Sequence, residues 1–233
     1  MGGVLIIEDD PASRRLLRLM LERERHTVWE ADSPENGWRV LEMDAVPDLL
    51  ISDLWLGEST GIDFLRRVRD DPIWNGLPVI LVSASPNREA VAESLSLRPV
   101  AFLTKPYDNN RIHRAVAKAL ATRWCRQHFE DPLLVFQRLR IDREKALELS
   151  RCLFAELSGM AALAAQSDDN PGRTFTDIMR SVSELGLSSL ENELRRCTRP
   201  DRAAHEGAPL LTRLPVLERL YTANITHQRM ALY

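Results

Sequence analysis

The sequence contains little cysteine, no glycine-rich loop and no long apolar run. The sequence has three cysteines, Cys125, Cys152 and Cys197. Because they are odd in number and widely spaced, they form neither a disulfide framework nor the ligand pattern of a metal site. We expect buried or idle thiols in a reducing cytoplasm. No stretch approaches the roughly 18 apolar residues of a membrane span, and we expect no signal peptide. The net charge of −3 over 233 residues gives no indication of a nucleic-acid or membrane partner.

The first half of the chain alternates between short apolar runs and helical patterns. Strands that alternate with helices form parallel sheets with both faces covered. We therefore expect a doubly wound five-stranded parallel sheet, of the α/β class, in residues 1–123. The predicted strands are 3–7, 27–31, 48–52, 78–83 and 100–103, and the predicted helices are 12–25, 34–43, 62–69, 88–97 and 111–121.

The second half of the chain contains no strand-like alternation. Residues 124–132 are typical of a linker, and residues 133–233 carry helical patterns that predict an all-α bundle domain. The segments 167–173 and 199–209 are predicted to be loops because they are rich in polar residues, glycine and proline. The predicted helices are 133–140, 142–166, 174–185, 188–198 and 209–230.

Polar residues follow four of the predicted strands at one edge of the sheet. In doubly wound sheets, ligands bind outside the carboxyl ends of the strands. Carboxylates about 4 Å apart repel by roughly 4 kcal/mol at an effective dielectric near 20, so they either share protons or hold a cation. The residues at this edge are Glu8, Asp9, Asp10, Asp53, Ser83 and Lys105.

These residue types predict metal-assisted phosphoryl transfer to a carboxylate. Mg²⁺ suits the set because it is a hard ion that binds one or two carboxylates together with phosphate oxygens. A lysine can neutralise a phosphoryl oxygen, and a serine can donate a hydrogen bond to another. The lack of a glycine-rich loop argues against a bound nucleotide. An alternative, a phosphatase-like enzyme with an aspartyl nucleophile, would need a DxD motif after the first strand, and EDDP (8–11) does not match it.

Four separated motifs resemble those of one family. They are VLIIEDDP (4–11), LLISDLWLGESTG (49–61), VILVSAS (79–85) and FLTKPYD (102–108). Through them residues 1–123 resemble the flavodoxin-like, chemotaxis-regulator-like receiver domain of two-component response regulators. The resemblance implies that Asp53 accepts a phosphoryl group from a histidine kinase or a phosphotransfer protein. It also implies that the domain catalyses only its own phosphorylation and dephosphorylation and is not otherwise an enzyme.

The resemblance assigns a role to each remaining site residue. Glu8, Asp9, Asp53 and the backbone carbonyl of Trp55 are expected to bind Mg²⁺, whereas Asp10 is expected at the start of the following helix. Lys105 matches the invariant lysine of the family. The expected switch residues are Ser83, through its hydroxyl, and Phe102, for which simple packing is an equal alternative.

Three residues depart from the usual pattern of the family. Gly57 stands where proline is common, and Thr60 replaces the usual acid before Gly61. Trp55 is bulky for its position beside the site and is expected to shield Asp53 from water. None of these changes removes a chemical group that phosphorylation needs.

The second half resembles histidine phosphotransfer (HPt) domains in its layout, through IDREKALELSRCLFAEL, MRSVSELGLSSLENELRRC and LPVLERLYTANITHQRM. Thr176 or Asp177 stands in place of the phosphorylated histidine, so we expect an HPt-like bundle without its catalysis. Neither His205, in a predicted loop, nor His227 is expected to replace it.

We therefore expect a cytoplasmic response regulator whose helical domain acts through protein contacts. Its partner would be another receiver, a kinase or a second copy of the chain, with no membrane and no nucleic acid involved. The alternative is a transcriptional regulator with an unrecognised DNA-binding helix.

Overall fold

The structure is a computed structural model that describes residues 2–43, 46–84, 88–106, 108–122, 129–164, 172–188, 190–191, 194 and 203–227. The chain divides into two compact units, Met1–Trp124 and Cys125–Tyr233, and each unit is described by itself. The predicted limits of the domains and linker, 1–123, 124–132 and 133–233, remain a prediction.

The first unit alternates strands and helices in the predicted order. Every predicted strand and helix of this unit is present, with ends that differ by at most two residues. The strands are β1 (Gly3–Ile7), β2 (Thr27–Ala31), β3 (Leu49–Asp53), β4 (Trp55–Leu56), β5 (Ser59–Thr60), β6 (Val79–Ser83) and β7 (Ala101–Thr104). The helices are α1 (Pro11–Arg23), α2 (Pro34–Met43), α3 (Gly61–Asp70), α4 (Arg88–Ser96) and α5 (Asn109–Leu120).

Five strands form one parallel sheet in the order β2-β1-β3-β6-β7, which confirms the predicted flavodoxin-like fold. Strands β1, β3 and β6 are buried along their whole length, because helices cover both faces of a doubly wound sheet. The strand order reverses beside β1, so the carboxyl ends of β1 and β3 border the crevice in which such sheets bind ligands. The remaining two strands, β4 and β5, form a small antiparallel pair immediately after β3.

Helix starts in the first unit are fixed by side chains that accept hydrogen bonds from the free backbone N–H groups of the first turn. Asp10 caps α1, with its Oδ1 2.8 Å from the backbone nitrogen of Ser13. Thr60 caps α3 in the same way by accepting from the N–H of Asp63. Asp10 therefore lies at the start of the helix, as expected, and Thr60 has a structural task at the position where the family usually has an acid.

The second unit is helical, as predicted. Its core includes Phe129, whose ring contacts Tyr221 edge-on with 5.3 Å between the centroids. None of the described helices is both long enough and apolar enough to cross a membrane. The helices are α6 (Pro132–Leu139), α7 (Arg143–Ala164), α8 (Gly172–Glu184) and α9 (Ala203–His227), and residues 188, 190, 191 and 194 are also helical.

The predicted loop over 199–209 was wrong for its second half. Helix α9 begins at Ala203, six residues before the predicted start, and includes Gly207 and Pro209. Local propensity is a weak guide, and a long packed helix overrides it. His205 therefore lies in a helix and not in a loop. The side chains of His205 and His227 lie outside what the structure describes, as do His128 and residues 167–171 of the loop predicted over 167–173. Helix α8 begins at Gly172, so the last two residues of that predicted loop are helical.

Candidate functional site

Three carboxylates meet at the crevice beside β1. Glu8 and Asp9 follow β1 directly, and Asp53 is the last residue of β3. One oxygen of each side chain lies within 4.8 Å of the others. The carboxyl ends of neighbouring parallel strands lie side by side, which explains how residues more than forty positions apart come together.

The three carboxylates differ in their exposure to water. Glu8 is buried, with 1% of its surface exposed, and Asp53 is also buried, whereas Asp9 is exposed. Burial raises the pKa of Glu8; the hydrogen bond from Lys105 lowers it and the Asp53 charge raises it, and the net direction is upward. A buried carboxylate with a raised pKa is costly to keep ionised and gains most from a nearby cation.

Lys105 bridges the two buried carboxylates. Its Nζ donates to Glu8 Oε2 and to Asp53 Oδ2, both at 2.5 Å. Burial lowers the pKa of Lys105, but the bonds to Asp53 and Glu8 outweigh this effect, so the pKa lies above its ordinary value. Its backbone N–H donates to the carbonyl of Ser83 at 2.8 Å. The lysine is therefore charged and anchored to the end of β6.

Asp53 is held by the backbone on its other side. The N–H of Trp55 donates to Asp53 Oδ1 at 3.1 Å, while the side chain of Trp55 stays 49% exposed. Gly61 approaches the main chain of Asp53 so closely that an added Cβ would lie 2.1 Å from the Asp53 carbonyl oxygen. The N-terminus of α3 can pack here only because residue 61 has no side chain.

The two expected switch residues lie on neighbouring strands. Ser83 is fully buried at the end of β6. Phe102, on β7, is half-buried and packs against a small cluster formed by Leu54, Ile62 and Ala90. Packing therefore accounts for Phe102 in this structure, and a part in switching remains a prediction.

The donor set fits a hard divalent cation. Carboxylate oxygens are the protein ligands that Mg²⁺ prefers, and Glu8, Asp9 and Asp53 offer three of them within 4.8 Å. Two of these carboxylates are buried and repel one another, which a doubly charged ion would offset. The backbone carbonyl of Trp55, the further expected ligand, belongs to the residue whose N–H already contacts Asp53.

Sequence reasoning missed one side chain at this site. The Arg14 guanidinium donates to the carbonyl oxygens of Glu8 and Asp9. Arg14 lies on the first turn of α1, and its position among several arginines of that helix gives no signal of this contact. Only the path of the loop between β1 and α1 brings it there.

The family model for the response regulator receiver domain matches residues 4–117. Residues 4–117 therefore belong to the response regulator receiver domain family. This confirms the resemblance that the motifs indicated for the first half; the HPt-like interpretation of the second half stays a prediction. Receiver domains interact with histidine kinases or phosphotransfer proteins and bind Mg²⁺ at an acidic pocket.

Individual relatives differ in how much of the chain they match. The KDP operon transcriptional regulatory protein KdpE of Escherichia coli is 34% identical over 143 residues, 61% of either chain. The 3',5'-cyclic-nucleotide phosphodiesterase regA of Dictyostelium discoideum is 24% identical and matches 82% of this chain but 26% of its own length. The chain thus spans less than two thirds of the length of each of these two relatives.

A solved structure is similar to about half of this chain. The signal receiver domain of a signal transduction histidine kinase from Syntrophus aciditrophicus is 28% identical with a TM-score of 0.49. The match includes 52% of this chain and 92% of that one.

Proposed function

We propose that Asp53 is the phosphoacceptor of a response regulator, phosphorylated in a Mg²⁺-dependent reaction. The donor would be a phosphohistidine on a sensor kinase or a phosphotransfer protein. The observation that carries this proposal is the convergence of Glu8, Asp9, Asp53 and Lys105 at the edge of the sheet. Asp53 is the one of the three carboxylates that both Lys105 and a backbone N–H contact, an arrangement that orients a nucleophile.

The reaction forms one bond and breaks another. A carboxylate oxygen of Asp53 attacks the phosphorus while the bond between phosphorus and the imidazole nitrogen breaks. The electron pair of that bond stays with the nitrogen of the donor. Since little covalent chemistry is left to the protein, its side chains act mainly by positioning and by offsetting charge.

Lys105 and Ser83 would act on the transferred group. The Lys105 ammonium already contacts Asp53, so it is positioned to offset charge on a phosphoryl oxygen once the group is bound. The Ser83 hydroxyl, on the neighbouring strand, would donate to a second oxygen. Glu8, Asp9, Asp53 and the Trp55 carbonyl would hold Mg²⁺, which supplies further neutralisation of the phosphoryl charge.

Phosphorylation would act on the second unit through a change in the surface of the first. Ser83 ends β6, and Phe102 lies on the next strand beside Ala90 of α4. A movement of Ser83 toward the phosphoryl group would therefore reach α4 and β7 by direct packing. The helical unit would respond by binding a protein partner, which could be another receiver, a kinase or a second copy of the chain.

A DNA-binding output is the second candidate, because KdpE and other relatives are transcriptional regulatory proteins. Binding to random duplex DNA across a range of salt concentrations separates the two. A protein that neutralises DNA phosphates loses affinity steeply as salt rises. A steep slope would replace the protein-partner proposal, whereas no DNA binding at low salt would remove the alternative.

The phosphoacceptor is tested with acetyl phosphate and Mg²⁺. We expect the wild-type chain to gain the mass of one phosphoryl group, stable in acid and labile in base, and Asp53→Asn to gain none. Asp70→Asn, which changes an exposed aspartate at the end of α3, is the matched control and should be phosphorylated normally. Phosphorylation of Asp53→Asn, or none in the wild type, would show the proposal to be wrong.

A further inference from the structure

Arg14 contacts the backbone that carries the two acidic residues after β1. Its Nη1 donates to the carbonyl oxygen of Glu8 at 2.6 Å and to that of Asp9 at 3.3 Å. The Arg14 side chain is 21% exposed; its bond to the Glu8 carbonyl is partly buried, whereas its bond to the Asp9 carbonyl is exposed to solvent. The reaction proposed above makes no use of this side chain.

The two carbonyls belong to residues whose side chains form part of the carboxylate cluster. Glu8 is the first residue after β1, and its N–H is held by the carbonyl of Ala31 on β2 at 3.1 Å. Among the described hydrogen bonds, none joins the backbone of Asp9 to a neighbouring strand. Holding both carbonyls limits rotation of the peptide planes on either side of Asp9, and so limits the directions in which its carboxylate can point.

The carboxylate of Glu30 offsets the positive charge of Arg14. One carboxylate oxygen of Glu30, on β2, lies 4.0 Å from Arg14 Nε. The other oxygen lies 2.5 Å from Arg18 Nη1. Arg18 in turn pairs with Glu22 at 2.7 Å. This matters because an unbalanced cation beside a cation site would repel the bound ion.

We propose that Arg14 is a positioning residue for the divalent cation, which it serves by fixing the backbone of Glu8 and Asp9. The inference rests on the proposed function, since it takes the carboxylate cluster to be the Mg²⁺ site. Arg14 would bind neither the ion nor the phosphoryl group. Replacing a group that orients a metal ligand from behind typically weakens metal affinity by about 10- to 100-fold.

Metal affinity is the measurement that tests this role. Mn²⁺ is used as the probe because it takes the same oxygen ligands as Mg²⁺, and electron paramagnetic resonance measures the free ion directly. We expect Arg14→Gln to weaken Mn²⁺ binding by about tenfold. Arg14→Lys keeps the charge but loses the planar fork, so its affinity should lie between those of Arg14→Gln and the wild type. Competition with Mg²⁺ shows that both ions share the site.

Arg18→Gln is the matched control, because Arg18 shares Glu30 with Arg14 and has no described contact with the Glu8 or Asp9 carbonyls. Its Mn²⁺ affinity should be that of the wild type. Unchanged or tighter binding by Arg14→Gln, or an equal loss in Arg18→Gln, would overturn the inference. Thermal melting in the absence of metal shows whether each variant is folded. If Arg14→Gln is unfolded, the test passes to Arg14→Lys, and a Mn²⁺ affinity equal to that of the wild type in this variant would overturn the inference. A wild-type chain that binds no Mn²⁺ would overturn both proposals. A wild-type chain that binds Mn²⁺ but gains no phosphoryl group would overturn the proposed function alone.

Discussion

The two units use their buried polar groups in different ways. In the first unit, buried charged groups from the ends of separate strands converge on one point, where Lys105 lies between Glu8 and Asp53. In the second unit, a buried hydroxyl and an exposed guanidinium close the C-terminal end of α8. The Tyr221 hydroxyl donates to the carbonyl of Leu185 at 3.0 Å, and an Arg138 nitrogen donates to that of Glu184 at 2.8 Å.

The polar contacts of the second unit can be explained by the fold, whereas those of the first unit indicate a functional site. Free carbonyls at a helix end need donors whatever the protein does, so the second set of contacts is explained by the fold alone. Two buried carboxylates beside each other are not explained in that way, because they raise the energy of the folded state. The proposed phosphoryl transfer therefore belongs to the first unit, whereas the contacts described in the second unit need only a structural explanation.

The largest effect is expected for Lys105→Met, which tests the chemistry proposed for the first unit. The substitution removes the ammonium that contacts Asp53 and keeps a side chain of similar length. We expect phosphorylation by acetyl phosphate at saturating Mg²⁺ to slow by about 100-fold, the usual cost of losing one well-placed electrostatic group. The rate is measured from the intact mass of the protein over time.

The control for Lys105 is Lys118→Met, which changes an exposed lysine of α5. It should leave the rate unchanged. Mn²⁺ affinity of Lys105→Met should be equal to or tighter than that of the wild type, since the change removes a positive charge from between the carboxylates. A rate close to that of the wild type would show that Lys105 only balances charge in the metal-free protein.

A glycine-to-alanine change is expected to have opposite signs in the two units. At Gly61 the new Cβ would lie 2.1 Å from the carbonyl oxygen of Asp53, so Gly61→Ala should lower the free energy of unfolding by about 3 kcal/mol through overpacking. At Gly159, an exposed position of α7, no atom of the described residues lies within 4 Å of the new Cβ. Gly159→Ala should therefore raise the free energy of unfolding by about 1 kcal/mol, because alanine has a higher helix propensity than glycine.

Urea unfolding of both variants measures these changes, and hydrogen exchange shows which unit each one affects. Gly61→Ala should also slow the phosphorylation of Asp53, because it displaces the main chain that carries the acceptor. Equal stability of the two variants would mean that α3 can move away from β3 at little cost. The site would then be less rigidly built than the comparison of the units implies.

The main groups of the site could be predicted because they depend on strand ends. Glu8 and Asp53 each follow an apolar run, and the rule for parallel sheets brings such ends together without any knowledge of side-chain packing. The same reasoning located Lys105 at this edge. It could not show that Lys105 bridges two carboxylates, because that contact depends on the side-chain conformation and on burial.

Contacts made through the backbone could not be predicted. Strands β4 and β5 have two residues each, too few for any periodicity to be detected. The approach of Gly61 to Asp53 and the contact of Arg14 with the Glu8 carbonyl depend on the paths of two loops. The start of α9 was missed for another reason, because glycine and proline were given more weight than a long helix allows.

The smallest effect is expected for Tyr221→Phe, which tests whether the buried hydroxyl of the second unit serves only packing. The variant leaves the buried carbonyl of Leu185 without its donor, so the free energy of unfolding should fall by about 1 kcal/mol. Burial raises the pKa of Tyr221 to about 12 from its ordinary 10.0. The stabilisation by the hydroxyl is therefore complete below pH 10.0 and is lost as the pH rises toward 12.

Unfolding by urea at neutral and alkaline pH measures the difference between Tyr221→Phe and the wild type, which should shrink as the pH rises above 10.0. Other groups that titrate there are common to both proteins and cancel. Phosphorylation by acetyl phosphate and Mn²⁺ affinity should be unchanged, because the hydroxyl only closes a helix end in the second unit. If the variant altered the phosphorylation of Asp53, the two units would be coupled even without a partner, and the division between chemistry and packing would not hold.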